Sequence, residues 1–289
     1  MEIRILQPGD ERKLERHLCR HSDSSMILRA NLLAAGVDDR GEVACGTYAA
    51  AFERGRLLGV VAHYWNGALV PQAPAELAAD LGEAAISASG RKVLGALGPA
   101  DQVAPLLRRF GRRREKPRLD SLEGLYRVEL SRLRCPNTLR AQRLQARSLE
   151  PDDRDEVVRW YDAYDVETLG ATFGPELTAN NRRRFERARS EGRGFVLLRD
   201  GQRVATSSFN AQLPDAVQIG GVYTPPEERS KGFARTVVAH SLIEARRRGA
   251  ERAILFTGED NPAAIRAYRS LGFERFGDFR LTLWATPGR

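Results

Sequence analysis

Apolar residues recur along the chain with two spacings, one typical of strands and one typical of helices. Short apolar segments such as 3–6 and 93–97 alternate with amphipathic or alanine-rich segments such as 77–89. A period of two residues indicates a half-buried strand, and a period near 3.6 residues indicates a helix. Because strands and helices take turns, the pattern predicts a layered α/β sheet.

Residues 131–141 interrupt this pattern with a polar, proline-containing stretch that has no clear period. We therefore predict a linker there, between one domain at 1–130 and a second at 142–289. Both parts open with a strand, a turn of proline and acidic residues, and a helix, starting near Ile3 and again near Leu144. This internal similarity favours a duplicated domain.

The second part of the chain shows the same alternation with clearer boundaries. The turn Asp200-Gly201 between two apolar runs predicts a hairpin, and Gly249 is typical of a residue that ends a long helix. The predicted elements are helices near 154–168 and 176–191, strands at 194–199, 203–211 and 217–223, a helix from Gly232 to about Arg248, a strand at 254–257, a helix at 262–271 and a last strand at 279–284.

Composition is that of an ordinary globular protein. The chain has 289 residues, 42% hydrophobic and 29% charged, a length that suits two domains. No apolar run reaches the roughly 18 residues of a membrane span, and the first residues lack the features of a secretory signal. The three cysteines make no disulfide framework, and no Cys/His cluster has zinc-finger spacing. We therefore expect a cytoplasmic protein without a metal site.

The charge is basic, with 46 Lys and Arg against 38 Asp and Glu, which gives +8. The densest basic run lies at 108–118 and has one interleaved aromatic residue, Phe110. It therefore fits a solvated helix end better than a nucleic-acid contact. His17 and His21 stand four residues apart, but no third ligand is evident, so the pair does not predict a metal site.

The segment Gly220–Ala234 carries the strongest sign of chemistry. A predicted strand ends there, two prolines force an extended exit, and a short basic loop opens a long helix. The unpaired N–H groups and the positive dipole end of a helix form an anion site. Gly232 lets the backbone approach a phosphate, and Arg229 and Lys231 add positive charge. By itself the segment fits a phosphate site or a solvated charged turn equally well.

A second segment, Asn261–Phe273, follows an apolar strand after a turn of three residues. Asn261 is a suitable helix N-cap, and Pro262 suits the first helical position. Tyr268 lies two turns along the same helix face as Asn261. A tyrosine at this position by itself fits core packing.

Together the two segments resemble the GNAT superfamily of acyl-CoA-dependent N-acyltransferases. Arg229–Ala234 has the R-x-x-G-x-A form of the family's pyrophosphate loop. Asn261–Phe273 has the N-x6-Y-x3-G-F form of its second cofactor-binding motif, in the family's order and at the expected distance. The resemblance covers about residues 142–285. It implies a strongly twisted mixed sheet that splays open beside the loop, with the pantetheine arm in the gap.

The resemblance also implies a role for each matched residue. Main-chain groups of Val222 and Thr224 would pair with the pantetheine amides, and the backbone near Val222 would polarise the thioester carbonyl. Tyr268 would protonate the departing CoA thiolate, and Asn261 would contact the pantetheine arm or fix its helix. The diphosphate would be held by the N–H groups of the loop residues Arg229, Ser230, Lys231, Gly232, Phe233 and Ala234.

The general base for the attacking amine is open. Many family members use a glutamate on the strand that ends at the loop, but 217–223 carries no acid. Glu167, Glu227 and Glu259 are the nearest candidates along the sequence, and a water chain to the surface is equally suitable.

Residues 1–130 are expected to form a degenerate GNAT-like lobe. Its loop would follow the strand near Leu69-Val70, where 71–76 has neither a basic residue nor a glycine to meet a diphosphate. This lobe would wall the acceptor site or bury surface.

The sequence thus predicts an α/β (α+β) protein of two GNAT-like lobes, each a twisted mixed sheet flanked by helices. We expect an N-acetyltransferase that moves the acetyl group of acetyl-CoA to a primary amine of a small molecule or protein. Direct attack on the thioester is favoured because no cysteine lies near either motif. The alternative is a non-catalytic CoA-binding or basic interaction protein, supported by the missing strand glutamate. Acyl length and oligomeric state are open.

Overall fold

The computed structural model describes residues 1–111, 115–140 and 143–284. The chain divides into two compact units. Unit 1 contains Met1–Leu125 and the C-terminal segment from Gly277, and unit 2 contains Tyr126–Phe276. The sequence-based division into domains 1–130 and 142–289, joined by a linker at 131–141, stays a prediction.

Unit 1 has a mixed sheet in which helices cover both faces. Strands β1 to β4 pair antiparallel in order, β5 joins β4 in parallel, and the last strand of the chain pairs antiparallel with β5. The elements are β1 (Glu2–Ile5), α1 (Glu11–Cys19), α2 (Met26–Ala35), β2 (Gly46–Glu53), β3 (Arg56–Tyr64), β4 (Ala68–Gln72), α3 (Ala75–Ser89), β5 (Gly95–Pro99) and α4 (Ala100–Phe110).

Unit 2 repeats this order. Strands β7 to β10 pair antiparallel in sequence, β11 joins β10 in parallel, and β6 lies beside β11. The elements are β7 (Leu144–Ser148), α5 (Arg154–Leu169), α6 (Pro175–Ser190), β8 (Gly194–Arg199), β9 (Gln202–Gln212), β10 (Ala216–Tyr223), α7 (Phe233–Arg247), β11 (Arg252–Gly258) and α8 (Pro262–Ser270). Two long strands, β6 (Leu119–Glu129) and β12 (Glu274–Leu283), contribute residues to both units.

A detail of the first turn strengthens the case for duplication. Arg4 binds Asp10 through two hydrogen bonds of 2.7 and 2.8 Å, and Asp10 also accepts from the main chain of Gln7. Arg147 binds Asp153 in the same way, at 2.6 and 3.0 Å, and Asp153 accepts from the main chain of Glu150. Both arginines lie on a first strand, and both aspartates precede a first helix. The two units therefore share their local side-chain chemistry as well as their element order.

Each unit has a core on both faces of its sheet. In unit 1, Leu14 and Leu18 of α1 pack with α2 on one face, and Leu81 of α3 packs with α4 on the other. In unit 2, α7 and α8 pack on one face, whereas α5 and α6 pack on the other. The predicted fold class, an α/β protein with a twisted mixed sheet flanked by helices, is confirmed.

One helix and one strand boundary differ from the sequence pattern. Helix α2 had no predicted counterpart, and β12 begins at Glu274, before the predicted 279. Within the described residues, no helix combines the length and the apolar character needed to cross a membrane.

Candidate functional site

Strands β10 and β11 separate beside the predicted cofactor loop. Their parallel pairing runs from Ala216–Gln218 against Arg252–Ile254. Beyond this, β10 continues to Tyr223 and β11 to Gly258 without a paired register. The separated edge of β10 is therefore the place where an extended ligand could add itself as a strand, and it includes Val222.

A bulge bends β10 before it ends. The register against β9 shifts between Gly220 and Tyr223, and Gly221 has a φ of 59°. A Cβ on Gly221 would stand 2.8 Å from Ser208 Oγ and 2.5 Å from Arg184 Nη2, so glycine is needed for space as well as for its left-handed conformation. The Ser208 hydroxyl donates to the Gly220 carbonyl at 3.0 Å and fixes the bent strand.

The loop between β10 and α7 presents unpaired main-chain donors. Ser230 and Gly232 have φ values of 65° and 80°, a geometry that turns successive N–H groups toward one side. In the described part of the chain, the N–H groups from Ser230 to Ala234 donate to no main-chain carbonyl. The buried Thr224 hydroxyl also has no hydrogen-bond partner among these residues. These free groups suit an anionic ligand with further polar atoms, as a CoA diphosphate and pantetheine would supply.

Acidic side chains neutralise the basic groups of this loop. Arg229 Nη2 lies 2.7 Å from Glu167 Oε2, and its Nε donates to the Thr224 carbonyl at 3.0 Å. Glu167 also accepts from the Tyr223 hydroxyl at 3.0 Å. Burial of Tyr223, followed by this hydrogen bond, raises the pKa of its hydroxyl. Lys231 Nζ lies 3.0 Å from Glu228 Oε2.

The last two residues of the motif begin α7 and anchor the loop. Phe233 is buried in the core of unit 2, with the Arg199 guanidinium 5.4 Å from its ring centre, and Ala234 follows in the first turn. The Thr236 hydroxyl donates to the Gly232 carbonyl at 3.0 Å. The loop is thus held from the helix side while its N–H groups stay free.

Helix α8 places Asn261 and Tyr268 as the sequence suggested. Asn261 is the N-cap, since its side chain accepts from the Ala264 main chain at 3.1 Å, which confirms the expected capping. Tyr268 packs against the core of unit 2 and meets Phe273 edge-on at 5.8 Å. Burial, followed by the nearby Tyr164, raises the pKa of the Tyr268 hydroxyl, so the phenol is neutral near pH 7.

Of the three glutamates considered as the general base, one contacts the end of β10. This is Glu167 of α5, which accepts hydrogen bonds from Tyr223 and Arg229. Glu227 is exposed in a 3₁₀ turn, and Glu259 is exposed with Arg275 Nη2 3.3 Å away. None of the three is thereby assigned a catalytic role, and the identity of the base stays a prediction.

A set of buried and half-buried polar side chains on the inner face of α5 and α6 was not predicted from the sequence. We call it the polar layer: Asp162, Asp165, Thr178, Asn181 and Arg184. Asn181 Nδ2 donates to both aspartates at 2.9 Å, and the Thr178 hydroxyl donates to Asp162 at 2.7 Å. The signal was present as Asp-x-x-Asp on one helix and Asn-x-x-Arg on the next, since residues three apart share a helix face.

The corresponding region of unit 1 is closed. Only Ala73 and Pro74 separate β4 from α3, so no loop comparable to 224–232 exists there. Pro71 lies 3.0 Å from the position that a Cβ on Gly98 would take, and Gln102 Oε1 accepts from the Ala73 main chain at 3.0 Å. The expectation that unit 1 does not bind CoA stays a prediction.

The remaining candidates carry little chemistry. His17 is buried and His21 lies 5.3 Å away, but no group of three or more His, Cys, Asp or Glu able to hold a metal exists among the described residues. In the basic run, Arg109 lies in the last turn of α4 and contacts Asp80 at 3.4 Å and also Glu83. Arg112, Arg113 and Arg114 lie outside the described residues.

Comparison with known proteins agrees with this geometry. Residues 154–273 match the family model described as the acetyltransferase (GNAT) family. This part of the chain is a GNAT acetyltransferase domain.

Two relatives that match part of the chain extend the comparison. The mycothiol acetyltransferase of Thermobispora bispora is 43% identical over 61 residues, and that of Cellulomonas flavigena is 32% identical over 93 residues. These matches span 20% and 28% of this chain and 21% and 27% of the relatives, so most of each relative's length is not matched.

Solved structures that cover nearly the whole chain show its fold. A tandem GNAT protein from the clavulanic acid biosynthesis pathway is 13% identical with a TM-score of 0.55 and covers 100% of this chain and 99% of its own. A GNAT-family acetyltransferase from Colwellia psychrerythraea is 12% identical with a TM-score of 0.58 and covers 98% of this chain and 100% of its own. The fold of the chain is therefore shared with solved GNAT structures, one of which is described as a tandem GNAT protein.

Proposed function

We propose that the protein is an acetyl-CoA-dependent N-acetyltransferase whose active site lies in unit 2. The observation that carries this proposal is the free edge of β10, which ends at a loop of unpaired N–H groups. Val222 and Thr224 would pair with the pantetheine amides, and Ser230, Gly232 and the first residues of α7 would hold the diphosphate. No disulfide joins Cys19, Cys45 or Cys135, all of them described residues, and this suits the reducing cytoplasm that we propose as the compartment.

In this proposal, a neutral primary amine attacks the thioester carbonyl directly. The N–H groups near the β10 bulge polarise the carbonyl oxygen, and the carbon–sulfur bond breaks as the amide forms. Tyr268 donates a hydrogen bond to the departing thiolate. Complete proton transfer is uphill, because a thiol with a pKa of about 8.5 is a stronger acid than a phenol with a raised pKa. The amine proton leaves through Glu167 or water.

The acceptor is proposed only as a primary amine. The mycothiol acetyltransferase relatives make their own acceptor the first compound to test, together with a panel of small amines and peptide amines. Unit 1 is proposed as a degenerate GNAT-like lobe without a CoA site, because Pro71 and the short β4–α3 connection occupy the corresponding space.

Thermal unfolding with acetyl-CoA tests the cofactor site. A ligand at about one hundred times its Kd stabilises the folded state by about 2.7 kcal/mol, so millimolar acetyl-CoA should raise the Tm by several degrees. The double variant Arg229→Glu with Gly232→Asp should lose this rise, because it places two carboxylates where the diphosphate binds. The exposed Arg182→Glu is the matched control and should keep it.

An acyl-transfer assay separates the proposed enzyme from a CoA-binding protein without activity. Transfer to at least one amine, abolished by the double variant, supports the enzyme. A Tm rise without transfer to any acceptor favours the non-catalytic alternative, for which the acid-free strand β10 is the main support. No Tm rise at millimolar acetyl-CoA contradicts both.

A further inference from the structure

The polar layer occupies a position where helices packed on a sheet ordinarily bury apolar residues. Asp162 is 5% exposed, Asp165 is 9% exposed and Asn181 is 3% exposed. Burying carboxylates without full compensation is costly, and such groups concentrate at binding sites. Each aspartate is already held in place by Asn181. The layer is therefore rigid, and its geometry is set before any ligand arrives.

Arg184 connects this layer to the bend of β10. Its guanidinium carbon lies 4.4 Å from the ring centre of Tyr161 and 6.0 Å from that of Tyr164. Its Nη2 lies 2.5 Å from the position that a Cβ on Gly221 would take, so the guanidinium rests on the main chain of the bulge. Its side chain is 32% exposed, which leaves one side open to solvent. The thioester carbonyl is proposed to lie near the backbone of Val222, the residue after Gly221. A group bound to Arg184 would therefore lie beside this carbonyl.

The Arg184 guanidinium lacks a full set of acceptors. In the described part of the chain, the carboxylate that Arg184 contacts is Asp165, at a long 3.4 Å, although a guanidinium can donate five hydrogen bonds. The Tyr161 ring is fully buried and lies against the same guanidinium, which it holds in place. A ligand oxygen near Arg184 would supply the missing acceptor.

The charges of the polar layer indicate which ligand group would bind beside Arg184. Two aspartates and one arginine leave one net negative charge, so a carboxylate on the ligand would meet Asp165 and Asp162 as like charges. A second ammonium group would face the open side of the Arg184 guanidinium. A neutral hydroxyl avoids both repulsions, because it can accept from Arg184 and donate to Asp165.

We propose that Arg184 and Asp165 bind a hydroxyl group of the acceptor next to its reacting amine, so that the acceptor class is the amino alcohols. This inference rests on the proposed function. Arg184 acts here as a specificity-determining residue, with Tyr161 as the surface on which its guanidinium is held. Because Arg184 contacts the bulge at Gly221, the proposed hydroxyl would lie close to the reacting amine, and 2-aminoethanol is the simplest acceptor of this kind.

A set of amines of matched length tests the proposal: 2-aminoethanol, n-propylamine, glycine and ethylenediamine. The wild-type protein should use 2-aminoethanol with a kcat/KM at least tenfold above that of each of the other three. Equal use of n-propylamine, preference for glycine or ethylenediamine, or no use of 2-aminoethanol would overturn it. If the proposed function itself is wrong, acetyl-CoA produces no Tm rise. This result separates that failure from a failure of the acceptor proposal alone.

Variants then assign the preference to the side chain. Arg184→Met removes the donors but keeps the length, and it should raise the KM for 2-aminoethanol about ten- to a hundredfold while leaving n-propylamine unchanged. Asp165→Asn should reduce the same preference. The neighbouring exposed Arg182→Met should change neither amine. A Tm rise with acetyl-CoA in Arg184→Met shows that unit 2 is folded, and an equal loss for both amines would assign Arg184 a structural role instead.

Discussion

Replacing Glu167 with Gln separates two roles that this carboxylate could have. Glutamine keeps the shape and still accepts from Tyr223, but it removes the charge that lies 2.7 Å from Arg229. Both side chains of this ion pair are nearly half exposed, 47% for Arg229 and 45% for Glu167, so the pair is worth about 0.2 to 1 kcal/mol. A diphosphate that needs Arg229 must first displace Glu167. The variant should therefore bind acetyl-CoA about 1.4- to fivefold more tightly.

Isothermal titration calorimetry at low ionic strength measures this change, and acyl-transfer kinetics measure the other role. If Glu167 is also the general base, the kcat of the Glu167→Gln variant falls by about 10²- to 10⁴-fold although its binding of acetyl-CoA improves. Tighter binding with unchanged kcat limits Glu167 to competition with the diphosphate. Glu259→Gln, whose partner is Arg275, is the control and should leave binding unchanged. Weaker binding of acetyl-CoA by Glu167→Gln would refute the reasoning.

Two further predictions concern Tyr268 and the stability of unit 1. Tyr268→Phe removes the hydroxyl but keeps the packing, so kcat should fall about tenfold or more with little change in the Kd of acetyl-CoA; an unchanged kcat would remove Tyr268 from the mechanism. Burial lowers the pKa of His17 and of His63 from 6.5 to about 4, so the unfolded chain binds protons that the folded chain does not. Stability should therefore fall as the pH drops from 6.5 toward 4, by about 2 kcal/mol per histidine at pH 5. Urea unfolding at pH 7 and pH 5 checks this, with His17→Gln losing about half of the pH effect, and equal stability at both pH values would contradict it.

The parts of the site that the sequence predicted are local. The loop and the α8 motif each lie within one short segment, so residue order alone brings Gly232 to a helix start and Asn261 to a cap. The direction of their N–H groups follows from helix geometry and needs no knowledge of distant contacts.

The parts that escaped prediction depend on distant pairings. The polar layer brings together residues of α5 and α6, and its proposed role depends on the contact of Arg184 with Gly221 of β10. Glu167 reaches Arg229 across 62 positions of sequence, a contact that no spacing rule supplies. Helix α2 was missed because it is apolar and weakly amphipathic, so its period is hard to distinguish.

The return of β12 to unit 1 has a consequence for how the protein is made. Phe279–Leu283 pair with Gly95–Pro99, and Gly95 has no room for a Cβ because Leu283 packs against it. A nascent chain that has just released residues 1–125 therefore has β5 with a bare edge, a template for pairing with another chain. At synthesis rates of about 5–20 residues per second, this edge waits roughly ten to thirty seconds for its partner. The sheet of unit 1 therefore gains its β12 edge only after the residues of unit 2 have been made.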